Sequence, residues 1–286
     1  MNAAVRCERG AQTHIGRILI DRGDGTNAFS MDMVAAMRDA VTAFAQDDAI
    51  KVILISPAGP HLTSGFDPAQ LEQMYKQAPG GSVKKVPSQR ARLMAQDGLW
   101  WGPDGLYSRL LHCPKVTVLA ARGQCLDVGL YLALCCDLVL ADETASFGNP
   151  RWRHVGVDGD ISMLAAAVGF KRAKELLVFG RQWSAPEAQA NGLIDEVLPP
   201  AELDAASLKL ATFCTQVMRD GIAAEKHVVF ASLAKMQINT GFATAAAVGA
   251  WASNLHFRPG EFNFLREVRN QGIDGALVAA RAHFEP

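Results

Sequence analysis

The chain has 286 residues, 49% of them hydrophobic, and a formal net charge of −1. That is ample material for a large core, and the near-neutral balance offers no overall basic surface of the kind on which nucleic-acid binding relies, local patches aside, so no nucleic-acid partner is expected. No apolar stretch reaches transmembrane length, and Arg6, Glu8 and Arg9 precede any apolar run, so neither a membrane partner nor a signal peptide is expected and the predicted location is cytoplasmic.

Short apolar runs at Arg17 to Asp21, Lys51 to Ser56, Lys115 to Ala121 and Leu138 to Ala141 are spaced as strands of an α/β protein. Between the first two, Ser30 suits the N-cap of a helix from Met31 to Gln46, whose Met33, Met37, Ala40, Val41 and Phe44 form a core-facing stripe. From Pro68 to Arg109 the chain is richer in Gly, Pro and Lys, with a break at Ala78-Pro79-Gly80-Gly81-Ser82, and residues 68–110 read as an insertion able to cover a ligand as a lid. Arg122 to Gly129 reads as a loop entering a helix, where free backbone N–H groups can hold a developing negative charge. Further on, Trp152-Arg153-His154-Val155-Gly156-Val157-Asp158-Gly159-Asp160 sets one acid, Asp160, a fixed distance past a glycine turn. An anion site and an acid together suggest enolate chemistry. After Pro199-Pro200 the patterns are entirely helical, predicting a core over 1–200 and a helical subdomain over 201–286 that packs on it or on another subunit. The cysteines Cys7, Cys113, Cys125, Cys135, Cys136 and Cys214 lack metal-ligand spacing and read as reduced thiols, with no metal site expected.

Five segments, in order, resemble the crotonase (enoyl-CoA hydratase/isomerase) superfamily. Asn27-Ala28-Phe29-Ser30 is similar to its Asn-Ala-Leu-Ser turn near the CoA nucleotide, Ser64-Gly65-Phe66-Asp67 to its first oxyanion loop, and Leu126 to Asp137 to its second oxyanion loop and helix. Ala145 to Pro150 and Ala185 to Ile194 also fit. The resemblance implies a ββα spiral core, an acyl-CoA substrate with no cofactor beyond that CoA, and trimers or dimers of trimers built through the C-terminal helices. By position, the backbone N–H groups of Phe66 and Val128 form the oxyanion hole, each donor contributing roughly 3 kcal/mol to an enolate. Ala28, Gly65, Asp67, Trp101, Gly129 and Gly156 are placed along the substrate.

The chain also departs from the family. Asp127-Val128-Gly129 stands where relatives carry consecutive glycines, which sets a carboxylate beside the anion site; capping of the helix that begins near Gly129 is the expected role of Asp127, ahead of a catalytic one. Hydratases need two glutamates to handle water, but Tyr131 occupies the first position and the second falls on Trp152 when anchored on Gly156, or on Arg151 without a one-residue insertion, and none of these is a base near neutrality. Asp160 falls where dienoyl-CoA isomerases place a catalytic aspartate and 4-chlorobenzoyl-CoA dehalogenases their nucleophile. Trp152, Gly156, Asp160, Phe66 and Leu99-Trp100-Trp101 extend the dehalogenase likeness, whereas Gly102 replaces its histidine.

Asp160 beside a tryptophan suits either a proton shuttle or a nucleophile, with Asp158 two residues away as a like-charged neighbour. Tyr131 is a secondary donor or acid, and Trp100, Trp101 and Trp152 suit the walls of a cyclic or aromatic acyl pocket. His154 reads as a surface residue and His112 as structural. For the CoA phosphates the candidates are Arg22, Lys84, Lys85, Arg90, Arg92, Arg258 and Arg266. The expectation is an isomerase, or a hydrolase or ring-opening enzyme, with a divergent hydratase and a non-catalytic acyl-CoA binder as the competing readings.

Overall fold

The computed structural model describes residues 4–10, 14–70, 89–150, 161–251 and 257–284. The four apolar runs form the centre of a six-stranded sheet, in the order β1 (Val5–Arg9), β2 (Ile15–Ile20), β3 (Val52–Pro57), β4 (Val116–Ala121), β6 (Leu138–Asp142) and β9 (Glu196–Leu198), with β1 and β9 added at its edges. Only the β1–β2 pair is antiparallel; the rest are parallel, with Ile15 opposite Val52, Val52 opposite Val116 and Val118 opposite Leu138. A parallel sheet covered on both faces needs apolar side chains at every position, which is why β3 is buried along its whole length. On one face Ile18, Ile53, Ile55, Leu119 and Val139 join the main core; on the other Val52, Leu54, Val118 and Leu140 meet Leu203, Ala211 and Cys214. These last three belong to the helix Leu203–Cys214, so the first helix after Pro200 covers the second face of the sheet.

The helix Met31–Gln46 (α1) forms as the sequence predicts. Ser30 accepts from the Met33 N–H at 3.2 Å, and Met33, Met37, Ala40, Val41 and Phe44 are buried against the sheet. Gly16 on β2 makes room for Phe44, whose ring would lie 2.8 Å from a Cβ there. Besides the edge strands β1 and β9, three short strands were not anticipated: β5 (Gln124–Leu126), β7 (Ser146–Gly148) and β8 (Gln182–Ser184) pair into a second sheet.

Of the 68–110 insertion, 71–88 lie outside the described residues. The helix Gln89–Gln96 (α2) runs into a π-helical turn, Asp97–Trp101, before the helix Leu106–Leu111 (α3). The wider turn buries both Trp100 and Trp101, and both rings contact Tyr107 of α3, at centroid distances of 5.0 and 4.6 Å. After Pro200 the described residues form helices without a strand, among them Arg219–Lys235, Ile238–Trp251 and Phe264–Phe284. Ile238–Trp251 returns to the insertion, where its Phe242 stacks on Trp101 at 4.6 Å. None of the six cysteines is in a disulfide, and burial holds the Cys125 and Cys136 thiols far above the usual range. Among the described residues no helix is long and apolar enough to cross a membrane.

Candidate active site

Three segments leaving the ends of parallel strands converge, the usual place for a ligand in such a sheet. The first is the turn at Asn27, whose φ of 50° is tolerated because its amide is spent locally: Nδ2 donates to the His61 carbonyl at 2.9 Å and Oδ1 accepts from the Arg22 N–H at 2.9 Å. The second is the loop Thr63 to Asp67. The Thr63 hydroxyl donates to the Asn27 carbonyl at 2.7 Å and accepts from the Gly65 N–H at 3.0 Å, while across the same gap the Phe29 N–H donates to the Gly65 carbonyl at 2.8 Å and the Phe29 carbonyl accepts from the Asp67 N–H at 2.9 Å. The third is β5, along which Thr63 runs in parallel, donating to Gln124 at 2.8 Å and accepting from Leu126 at 3.1 Å. This pairing fixes Phe66 beside residue 127.

Arg22 closes the frame. Its guanidinium donates to the Ala28 carbonyl at 2.5 Å and pairs with Asp67 at 2.9 Å and Asp24 at 3.1 Å. Burial opposes ionisation of Asp24, but hydrogen bonds from Thr26 and Asn27 together with the Arg22 charge hold its carboxyl below the usual range. This side chain, a candidate for the CoA phosphates, braces the loops that carry Ala28 and Asp67.

The helix Val128–Cys135 (α4) starts directly after Asp127, and Val128 is its first residue, in the turn whose N–H groups no carbonyl of the same helix can reach. The expected cap does not form. Asp127 adopts φ 49° and ψ −100°, makes no side-chain capping bond, and instead accepts the Phe66 N–H on Oδ2 at 3.1 Å in a buried contact. Its own N–H donates to the Gly148 carbonyl at 2.8 Å, which ties the residue to β7. Gly65, at φ 105°, permits the approach, because a Cβ there would lie 2.9 Å from Cβ of Asp127. Gly129 packs against Thr63, where a Cβ would stand 3.0 Å from the methyl group.

Tyr131 is 1% exposed, and its hydroxyl accepts from Asn149 Nδ2 at 3.3 Å. Asn149 escaped the residue-by-residue reading, although it lies in the quoted Ala145 to Pro150 segment; no spacing rule marks an amide that pairs with a phenol eighteen residues earlier. Around Tyr131 stand Trp101 at 5.6 Å and Tyr107 at 5.3 Å, and Trp100 meets Phe66 edge-on at 5.9 Å. The predicted Phe66, Trp101 and Tyr131 thus join one aromatic cluster, to which Tyr107 and Phe242 are additions. A cavity of about 510 Å³ lies elsewhere against Trp101, lined also by Thr42, Asp97, Arg109, His112 and Phe242, and neither Phe66 nor Asp127 borders it. His112 Nδ1 lies 2.9 Å from the Ser108 carbonyl.

Trp152, His154, Gly156, Asp158 and Asp160 lie outside the described residues, as do Lys84 and Lys85. Arg90, Arg258 and Arg266 are exposed, and Arg266 pairs with Glu267 at 3.3 Å. Among the described residues no group of His, Cys, Asp and Glu could hold a metal ion.

The enoyl-CoA hydratase/isomerase family profile matches residues 10–269. A mitochondrial methylglutaconyl-CoA hydratase of Mus musculus is 28% identical over 234 residues, 80% of this chain and 67% of that protein. A peroxisomal Delta(3,5)-Delta(2,4)-dienoyl-CoA isomerase of Arabidopsis thaliana is 26% identical over 199 residues, 68% of this chain and 70% of that protein. The crystal structure of an enoyl-CoA hydratase/isomerase from Xanthobacter autotrophicus Py2 superposes over 100% of both chains with a TM-score of 0.82 at 25% identity. With a profile match along most of its length and a crotonase fold, the chain belongs to the enoyl-CoA hydratase/isomerase family.

Proposed function

We propose that the protein isomerises an unsaturated acyl-CoA: the N–H groups of Phe66 and Val128 polarise the thioester carbonyl, and Asp160 takes a proton from one carbon of the acyl chain and returns it to another. No water enters the product and no resident cofactor is needed. The observation that carries this reading is Tyr131. At the position where hydratases hold a water-handling glutamate stands a phenol buried among aromatic rings and bonded to Asn149. A phenol, with an ordinary pKa of about 10, does not activate water near neutrality. The dienoyl-CoA isomerase relative supports the same direction. Two N–H donors aimed at an oxyanion would each contribute roughly 3 kcal/mol to an enolate.

A second reading, nucleophilic attack by Asp160 with hydrolysis, ring opening or dehalogenation of a cyclic or aromatic acyl-CoA, draws on one observation. Phe66 and Trp100, two residues of the dehalogenase likeness, are in contact. Assembly through the C-terminal helices, as a trimer or a dimer of trimers, is supported by the exposed Phe213, Val217, Met218, Val228 and Val229.

The test is mass spectrometry of enoyl-, dienoyl-, cyclic β-keto- and haloaryl-CoA esters incubated in oxygen-18 water. Isomerisation gives a rearranged product of unchanged mass, and Asp160→Asn lowers its rate by about 10²-fold or more. Label in the acyl product establishes hydrolysis or hydration instead. Unchanged conversion by Asp160→Asn removes the role given to Asp160.

A further inference from the structure

The Phe66 N–H is one of the two donors on which the proposed function rests, and in this structure a carboxylate of the chain itself holds it. Asp127 Oδ2 lies 3.1 Å from that nitrogen. A carboxylate oxygen and an enolate oxygen seek the same donor and carry the same sign of charge. Asp127 is only 5% exposed, so little water screens one from the other.

We propose that Asp127 is a built-in competitor for the oxyanion donor: its carboxylate occupies the Phe66 N–H in the resting protein and must leave before a thioester oxygen can bind there. Residue 127 thereby decides which acyl-CoA esters are activated, favouring those whose carbonyl gains enough negative charge to displace a carboxylate.

Three observations beside the hydrogen bond support this. First, Asp127 stands at the start of α4, where an aspartate ordinarily turns back over the first helical N–H groups, yet it makes no capping bond. Its side chain has been drawn to the hole in preference to the helix end, and that helix end offers the displaced carboxylate a place to go. Second, the residue adopts φ 49°, a conformation unfavourable for any side chain other than glycine's, and it is kept there by the bond from its N–H to Gly148. Third, Gly65 leaves the space through which the Asp127 side chain reaches across, with the two residues too close for a Cβ on both.

The experiment uses the full chain and acetoacetyl-CoA, whose enolate absorbs in the near ultraviolet when stabilised by a protein. Asp127→Ala is expected to bind it about tenfold more tightly than wild type, with a stronger enolate band. Asp127→Gly, which suits the positive φ, should do the same and serves if the alanine variant fails to fold. Unchanged or weaker binding by a folded variant overturns the proposal. Val128→Pro, introduced into Asp127→Ala, separates the two levels. If it abolishes the band while Asp127→Ala had not raised it, the oxyanion hole stands and the competition falls. If it leaves the band intact, the oxyanion reading fails, and the competition with it.

Discussion

Gly65 and Asp127 face each other with positive φ angles of 105° and 49°, and only one of them is a glycine. The cost of placing an aspartate in that region, about 1–2 kcal/mol, is offset by its hydrogen bond to the Phe66 N–H, since bonds to a charged acceptor contribute about 1.5–3 kcal/mol. The opposite position has no such compensation. Gly65→Ala would add a Cβ in a disfavoured conformation, 2.9 Å from Cβ of Asp127. It is expected to destabilise the protein by about 2–3 kcal/mol, read as a lower denaturation midpoint in guanidinium chloride at unchanged slope. A midpoint within error of wild type would mean that the two loops are not locked together as described.

At the scale of elements, local signals decide some boundaries and packing decides others. The helix Ala185–Ala190 is announced by Ser184, Pro186 and Glu187, and the structure realises that signal: Glu187 accepts the Ser184 N–H at 2.9 Å and its hydroxyl at 3.0 Å. Those bonds, first the backbone one and then the hydroxyl, outweigh slight desolvation and, with Arg181 and Arg172, hold the Glu187 carboxyl below its ordinary value. A depressed folded pKa stabilises the protein above the ordinary carboxyl range, and that contribution is lost as pH falls through the folded value. Glu187→Gln should therefore melt lower than wild type at pH 7, by the equivalent of about 0.5 kcal/mol, and coincide with it near pH 3. A gap that persists in acid would assign the effect to shape and not to charge. The π-helical turn Asp97–Trp101 has no comparable signal, because the extra residue that buries both tryptophans is selected by Tyr107, Phe66 and Phe242 from three other parts of the chain.

For the whole molecule, a polar network adds to the apolar contacts that hold the late helices on the sheet. Lys226, in Arg219–Lys235, donates to the Lys115 carbonyl at 2.9 Å and to Asp137 at 2.5 Å. The same Asp137 oxygen accepts from the Thr117 N–H and hydroxyl, at 2.8 and 2.9 Å, joining β4 to the segment before β6. Removing one member of such a network leaves its partners unsatisfied. Lys226→Ala is expected to cost about 2–3 kcal/mol, somewhat less than a fully buried pair because Asp137 is one-third exposed. Calorimetry should show a single transition at lower temperature; an unshifted main transition would show that this helix unfolds apart from the sheet.

The strands β2, β3, β4 and β6 were legible because a parallel sheet buried on both faces demands unbroken apolar runs, and α1 because its stripe and its Ser30 cap are both local. Five ordered motifs carried the family, including the loops that bring Ala28, Gly65, Phe66, Asp67 and Val128 together. The edge strand β1 was hidden by its exposed polar residues, and the three-residue strands β5, β7 and β8 are too short to show a period. Where the side chains of Asp127 and Arg22 go was decided only in three dimensions. Asp127 lies where local chemistry offered a helix cap, and it pairs instead with the Phe66 N–H; Arg22 pairs with Asp67. Both partners sit on a loop that is distant in sequence but held within 3.1 Å by the pairing of strands. Local propensity selects elements; the partner of a buried charge is selected by what the fold sets beside it.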